Sequence, residues 1–163
     1  MARKKEDYFI SPTKGIMSFS RVMEDIEEYI AGLPTSSYKI IIGSDSQAKN
    51  NETVFVTAIV VHRIGKGARY YYKKKSERHV VSLRQKIFFE TALSLEVGSQ
   101  VAHYFSEHGR AELPVEIHID VGNSGETREL IKEVVGMVLG SGFTPKIKPE
   151  AFGATSVADK YTK

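Results

Sequence analysis

Cysteine is absent from the 163-residue chain. Disulfide partners and thiolate metal sites are thereby excluded, and any bound metal must rest on carboxylates or histidines, a donor set that favours hard cations such as magnesium or manganese. There is also no apolar run of the length a bilayer span requires, and the start, MARKKEDYF, has no hydrophobic segment of the secretory kind. We therefore expect a cytoplasmic protein without membrane association. Neither sign of charge dominates: 23 Lys and Arg face 20 Asp and Glu, a net charge of +3 that suits a polyanionic partner without requiring one. Internal repeats and low-complexity tracts are missing too. What remains is a chain with 41% hydrophobic residues, enough for one domain over residues 1–163 with a real core and too short for two of ordinary size.

The pattern of apolar residues lays out the elements. Val22, Met23, Ile26 and Ile30 recur at helical spacing and predict an amphipathic helix over about 18–32, after a polar lead containing Pro12 and Gly15. Tyr38 to Gly43 is a strand, with three consecutive isoleucines that suit burial on both faces. Thr53 to Gly65 and the segment after Gly67, ARYYYKKK, are two more strands joined by a short turn, which makes an antiparallel meander. Ser82 caps a long helix reaching about Ser106, with Gln85 three residues later in the capping pattern. Pro114 to Asp120 is a fourth strand. Asn123 to Glu126 opens a helix ended by Gly140 and Gly142, Phe143 to Glu150 is a short edge strand, and ATSVADKY adds one or two helical turns. The expected fold is α/β: a mixed five-stranded sheet, a meander plus parallel strands, flanked by helices and carrying an extra N-terminal helix.

Three acids stand out against this frame. YKIIIGSDSQ delivers an apolar strand onto Asp45, where an unneutralised carboxylate is costly, although DSQAKNN also reads as a turn that Asp45 would cap. In VEIHID, Glu116, His118 and Asp120 alternate with Val115, Ile117 and Ile119, and Asp120 arrives at a strand end in the same way. Along the long helix, Leu83, Ile87, Glu90, Ser94, Val97, Val101 and Phe105 share one face, so Glu90 lies in the buried stripe and Glu96 outside it. Glu90 taken alone also suits a margin position or a buried ion pair. Two strand-end aspartates with a helical glutamate aimed between them repel one another unless cations are present. Two divalent ions roughly 4 Å apart would resolve that repulsion and support phosphodiester hydrolysis. His118 reads as a core histidine.

The ordered motifs IIIGSDSQ, FFETALSLE, EIHIDVG and SVADKY resemble a ribonuclease H-type fold, and more closely the YkuK-type family of small bacterial proteins of that fold. The likeness runs from ISPTKG to the C-terminus. It implies a metal-dependent nuclease with Asp45, Glu90, Asp120 and Asp159 as catalytic metal ligands for two Mg2+ or Mn2+ ions. Ser46 and Gln47 stand where well-studied ribonucleases H commonly have a glycine-serine pair, and no basic handle follows the long helix. The resemblance therefore implies nuclease chemistry more firmly than hybrid specificity, and RNA, DNA and hybrid all remain open as partners.

Arg69 to His79, RYYYKKKSERH, interleaves basic residues with tyrosines. Lys73, Lys74, Lys75 and Arg78 can follow a phosphate backbone, or guard a sheet edge against aggregation. Gln47 and Asn123, beside the acids in sequence, are candidate nucleic-acid contacts. A binding module without catalysis is the rival to the nuclease.

Overall fold

The computed structural model describes residues 8–78, 80, 82–121, 128–148, 150–151 and 153–162. Its elements are β1 (Tyr8–Ser11), β2 (Gly15–Ser18), α1 (Phe19–Ala31), β3 (Tyr38–Lys49), β4 (Glu52–Arg63), β5 (Ala68–Arg78), α2 (Leu83–Glu107), β6 (Val115–His118), α3 (Arg128–Gly140), β7 (Thr144–Lys146) and α4 (Gly153–Thr162). They form a mixed α/β fold on one sheet of order β2-β1-β5-β4-β3-β6-β7. The meander β3-β4-β5 is antiparallel, whereas β6 joins β3, and β7 joins β6, in parallel.

Among the described residues the sheet has seven strands where the sequence patterns predict five. The polar lead is a hairpin, β1-β2, docked antiparallel on β5 through Ile10 and Tyr72. Gly15, with φ of 74°, takes the left-handed backbone that the hairpin turn needs. The first strand of the meander is also longer than expected. It pairs with β4 as far as Lys49 opposite Glu52, so the turn shrinks to Asn50 and Asn51, with Asn50 at φ 55°. Asp45 therefore lies within a strand and not in a turn. The first two forecast helices match closely: Ser18 Oγ accepts from Arg21 N to cap α1, and Ser82 Oγ accepts from Gln85 N to cap α2. The cap expected at Asn123 to Glu126 lies outside the described residues, and α4 has ten residues where one or two turns are expected.

Alternation divides the sheet into two dry faces. Ile40, Ile42, Ile59 and Val61 bury against α1, α2 and α3, together with Met23, Ile26, Val97, Val101, Val134 and Val138. Ile41, Val56, Ala58, Val60 and Tyr72 face the other way and meet Ala154 and Ala158 of α4. Each such isoleucine or valine contributes about 1.5–3 kcal/mol on burial. Two glycines set how closely the helices approach. A Cβ on Gly43 would stand 3.1 Å from Ala154 and Thr155, and one on Gly98 of α2 would stand 3.1 Å from Ile117. α2 and α4 thus clamp β3 from opposite sides, at the level where its pairing with β6 ends.

Candidate active site

Parallel pairing between β3 and β6 ends at Gly43 opposite His118. Beyond it β3 continues along β4, while the chain after β6 stays with β7: Ile119 N–H donates to Lys146 O at 2.8 Å. The sheet forks here, at the carboxyl ends of two parallel strands, a place where open α/β sheets commonly bind ligands. Asp45 and Asp120 each sit two residues past the last paired position, one on each prong.

The acids approach the fork from both faces. Ser44 and Ser46 face α2: Ser44 Oγ lies 2.8 Å from Ser94 Oγ, and Ser46 Oγ donates to Glu90 Oε1 at 3.1 Å. Asp45, between them, faces α4, where its carboxyl hydrogen-bonds that of Asp159. Burial, that bond and the charges of Asp120 and Asp159 push the Asp45 carboxyl up to about 6, although the Ser46 backbone amide favours its ionised form. Burial is also the main cause that pushes Glu90 up to about 8. The charges of Asp45 and Asp120 add to it, against the opposing pull of Lys86 and the Ser46 hydrogen bond. Glu90 is 7% exposed, as the helical stripe predicts, while Glu96 is exposed. Leu83, placed in the same stripe by spacing, is 50% exposed at the helix start.

Glu90 and Asp120 share the lining of a cavity of about 10 Å3 with Ser44, Thr91, Ser94 and His118, room for about one water. His118 is buried. Its Nε2 lies 3.1 Å from Glu116 Oε1, but among the described residues its Nδ1 has no hydrogen-bond partner. Burial holds its imidazole below the ordinary range despite Glu116, so the ring is neutral at pH 7. The reading of His118 as a satisfied core histidine thus holds for one nitrogen and fails for the other.

Lys148, which no sequence pattern singles out, completes the cluster. Its ammonium sits 2.6 Å from Asp120 Oδ1. Asp120, followed by Asp45 and Asp159, stabilises its charge and raises its pKa. The donors present are hard carboxylate oxygens, the chemistry that magnesium and manganese prefer, and His118 lines the same cavity. Among the described residues, however, no three Asp, Glu or His side chains stand together closely enough to hold one ion. The donor set fits a divalent cation, and the side chains would have to draw together around it.

The basic strand falls in line with the acids. Asp45 pairs across to Val56 and Val56 to Lys74, so Lys74 shares a row and a face with Asp45, two strands or about 10 Å away. Lys73 and Lys75 point to the α2 face, where their ammonium groups lie over the rings of Phe9 and Phe89. Arg78 is exposed at the end of β5, opposite Glu52. The run of lysines is thus split between the two faces. Gln47 is exposed two residues beyond Asp45, and Asn123 lies outside the described residues.

A third buried acid, Asp25, escaped the sequence patterns. Asp25 of α1 accepts hydrogen bonds from Tyr71 and Lys14 and from Arg69 at 3.4 Å. Burial would raise its pKa, but these partners outweigh burial and hold the carboxyl below its ordinary value. Lys14 belongs to the β1-β2 turn and Arg69 to β5, so Asp25 ties the hairpin to the body of the fold.

The family model described as "Ribonuclease H-like" matches residues 21–163. The chain is similar to "Uncharacterized protein YkuK" of Bacillus subtilis (strain 168), 37% identical over 167 residues that cover 95% of this chain and 96% of that protein.

Proposed function

Because the chain belongs to the ribonuclease H-like family, we propose that it is a divalent-metal-dependent nuclease that hydrolyses phosphodiester bonds by a two-metal carboxylate mechanism. The observation that carries this reading is the meeting of Asp45 and Asp120 at the β3/β6 fork, with Asp159 and Glu90 supplied from opposite faces. Proteins seldom bury like charges together without a functional reason, and the raised carboxyls of Asp45 and Glu90 mark the strain.

Asp45, Asp120, Asp159 and Glu90 would hold magnesium or manganese. Bound there, the ions supply an activated water and charge stabilisation for the leaving oxygen. Ser46 orients Glu90 through its hydroxyl, and Ser44 and Ser94 brace β3 against α2. Lys74, which shares a row with Asp45, would take a phosphate of the bound strand, and exposed Gln47 would make a neighbouring contact. Lys73, Lys75 and Arg78 would extend the basic track on either side, and Asn123 would contribute from beyond Asp120. The partner is a nucleic acid, RNA, DNA or hybrid.

A second reading, a nucleic-acid or protein binding module without catalysis, is favoured by one observation: Asp120 is engaged by Lys148, and among the described residues no three acids form a ready cage. Calorimetric titration of manganese into wild type and Asp45→Asn separates the two. The nuclease reading expects binding that the substitution abolishes. Wild-type protein that takes up no manganese would favour the bare module.

A further inference from the structure

Lys148 follows β7, and its N–H donates to Val121 O at 3.1 Å. With the Ile119–Lys146 bond, and with Val121 N–H turned back onto Ile119 O at 2.9 Å, this ties the two chains together past their last full pair, His118 and Lys146, although the regular ladder has ended. Asp120 and Lys148 thereby lie on adjacent, backbone-linked chains, with the ammonium 2.6 Å from Oδ1. An ordinary pair between exposed side chains contributes little and wanders. This one differs in two respects: the backbone positions both partners, and the side chain of Asp120 is only 26% exposed.

We infer that Lys148 is a tethered counter-cation of the carboxylate site, which a divalent ion must displace from Asp120. The inference rests on the metal-dependent reading above. The ammonium neutralises one charge of the cluster and occupies an oxygen that a hard cation would need. It thus lowers the affinity of the site for the ion while keeping the metal-free acids from full mutual repulsion. Lys148 is accordingly a positioning residue that sets the metal concentration at which the site assembles, and it acts through Asp120.

The test is calorimetric titration of manganese into full-length wild type, Lys148→Gln, Lys148→Arg and Asp45→Asn, with thermal melts of each. Lys148→Gln is expected to bind manganese several-fold more tightly than wild type and to gain more thermal stability from it. Lys148→Arg, which keeps the charge, is expected to stay near wild type. Equal or weaker binding by Lys148→Gln, with binding lost in Asp45→Asn, would overturn the role of Lys148 and leave the metal reading standing. No binding by any of the four would overturn both. A second measurement needs no variant. In a magnesium titration followed by NMR, the Lys148 side-chain resonances are expected to shift as the site fills, and resonances that stay fixed while magnesium binds would contradict displacement.

Discussion

Glu90 and Asp45 hold protons at pH values where ordinary carboxylates have lost them, and this gives the metal-free fold a characteristic pH dependence. Both start from ordinary values, 4.5 and 3.8, and are raised to about 8 and about 6 in the fold. Between these limits the native state binds more protons than the unfolded chain, so stability falls as pH rises. The contribution is fully present below the unfolded values and is lost as pH climbs through about 6 and then about 8. Thermal midpoints in chelator are expected to fall from about pH 5 to about pH 8, and Glu90→Gln to flatten the upper part of that fall. Midpoints that rise over this range would contradict the burial of the two acids. At the same scale, Asp45→Asn removes a buried carboxyl that is disfavoured by burial and by the acids beside it, and its apo midpoint is expected to equal or exceed that of wild type. Asp25 has the opposite sign. Its carboxyl is held low, so its contribution is present at neutral pH and lost as pH falls through its depressed value. Asp25→Asn leaves buried Tyr71 and two cations without their acceptor, and is expected to cost about 2–4 kcal/mol in denaturant unfolding at neutral pH. A loss below about 0.5 kcal/mol would show that the hairpin anchor is unimportant.

α4 is the element on which the site most depends, since it alone brings Asp159 to Asp45. It is held by small residues, Ala154 and Ala158 packed on Ile41, Val60 and Tyr72, and by Tyr161, whose ring stacks on Tyr72 at 3.8 Å. Ala158→Glu would force a charge into a fully buried position and is expected to detach α4, exposing that face to hydrophobic dyes and weakening manganese binding about tenfold or more. Unchanged manganese affinity would remove Asp159 from the site. Much of this arrangement is legible in the sequence. The isoleucines before Asp45, the alternation around Asp120 and the helical phase of Glu90 are local patterns, and each survives folding because a buried face enforces it. The hairpin β1-β2 was not legible, because its strands have four residues each and depend on β5 for pairing. Asp25 reads as one of several acids along α1, and its partners lie 11 to 46 residues away. Lys148 lies past the end of the short edge strand β7, and only the packing of the chain after β7 against the chain after β6 sets it against Asp120.

Seen whole, the molecule sets its acids at the fork of the sheet and its cations along the rows that lead away from it. The split of the lysine run makes the basic track testable face by face. Lys74→Gln is expected to lower the slope of log affinity against log salt by about one on single-stranded RNA, single-stranded DNA or hybrid, measured in calcium, as for one lost phosphate contact. A combined Lys73→Gln and Lys75→Gln change is expected to act less per residue, because those ammonium groups lie over aromatic rings on the other face. Equal slopes for Lys74→Gln and wild type on all three nucleic acids would confine Lys74 to guarding the strand. The central claim is that the carboxylates at the fork perform metal-dependent phosphodiester hydrolysis. The most direct test is cleavage of end-labelled single-stranded RNA, single-stranded DNA and hybrid in manganese, comparing wild type with Asp45→Asn purified side by side. Wild type is expected to cut at least one of the three. Asp45→Asn is expected to be slower by about a hundredfold or more, since even an outer partner of a metal ligand typically costs ten- to hundredfold. Manganese-loaded wild type that cuts none of them, or an Asp45→Asn variant that cuts as fast, would contradict the claim.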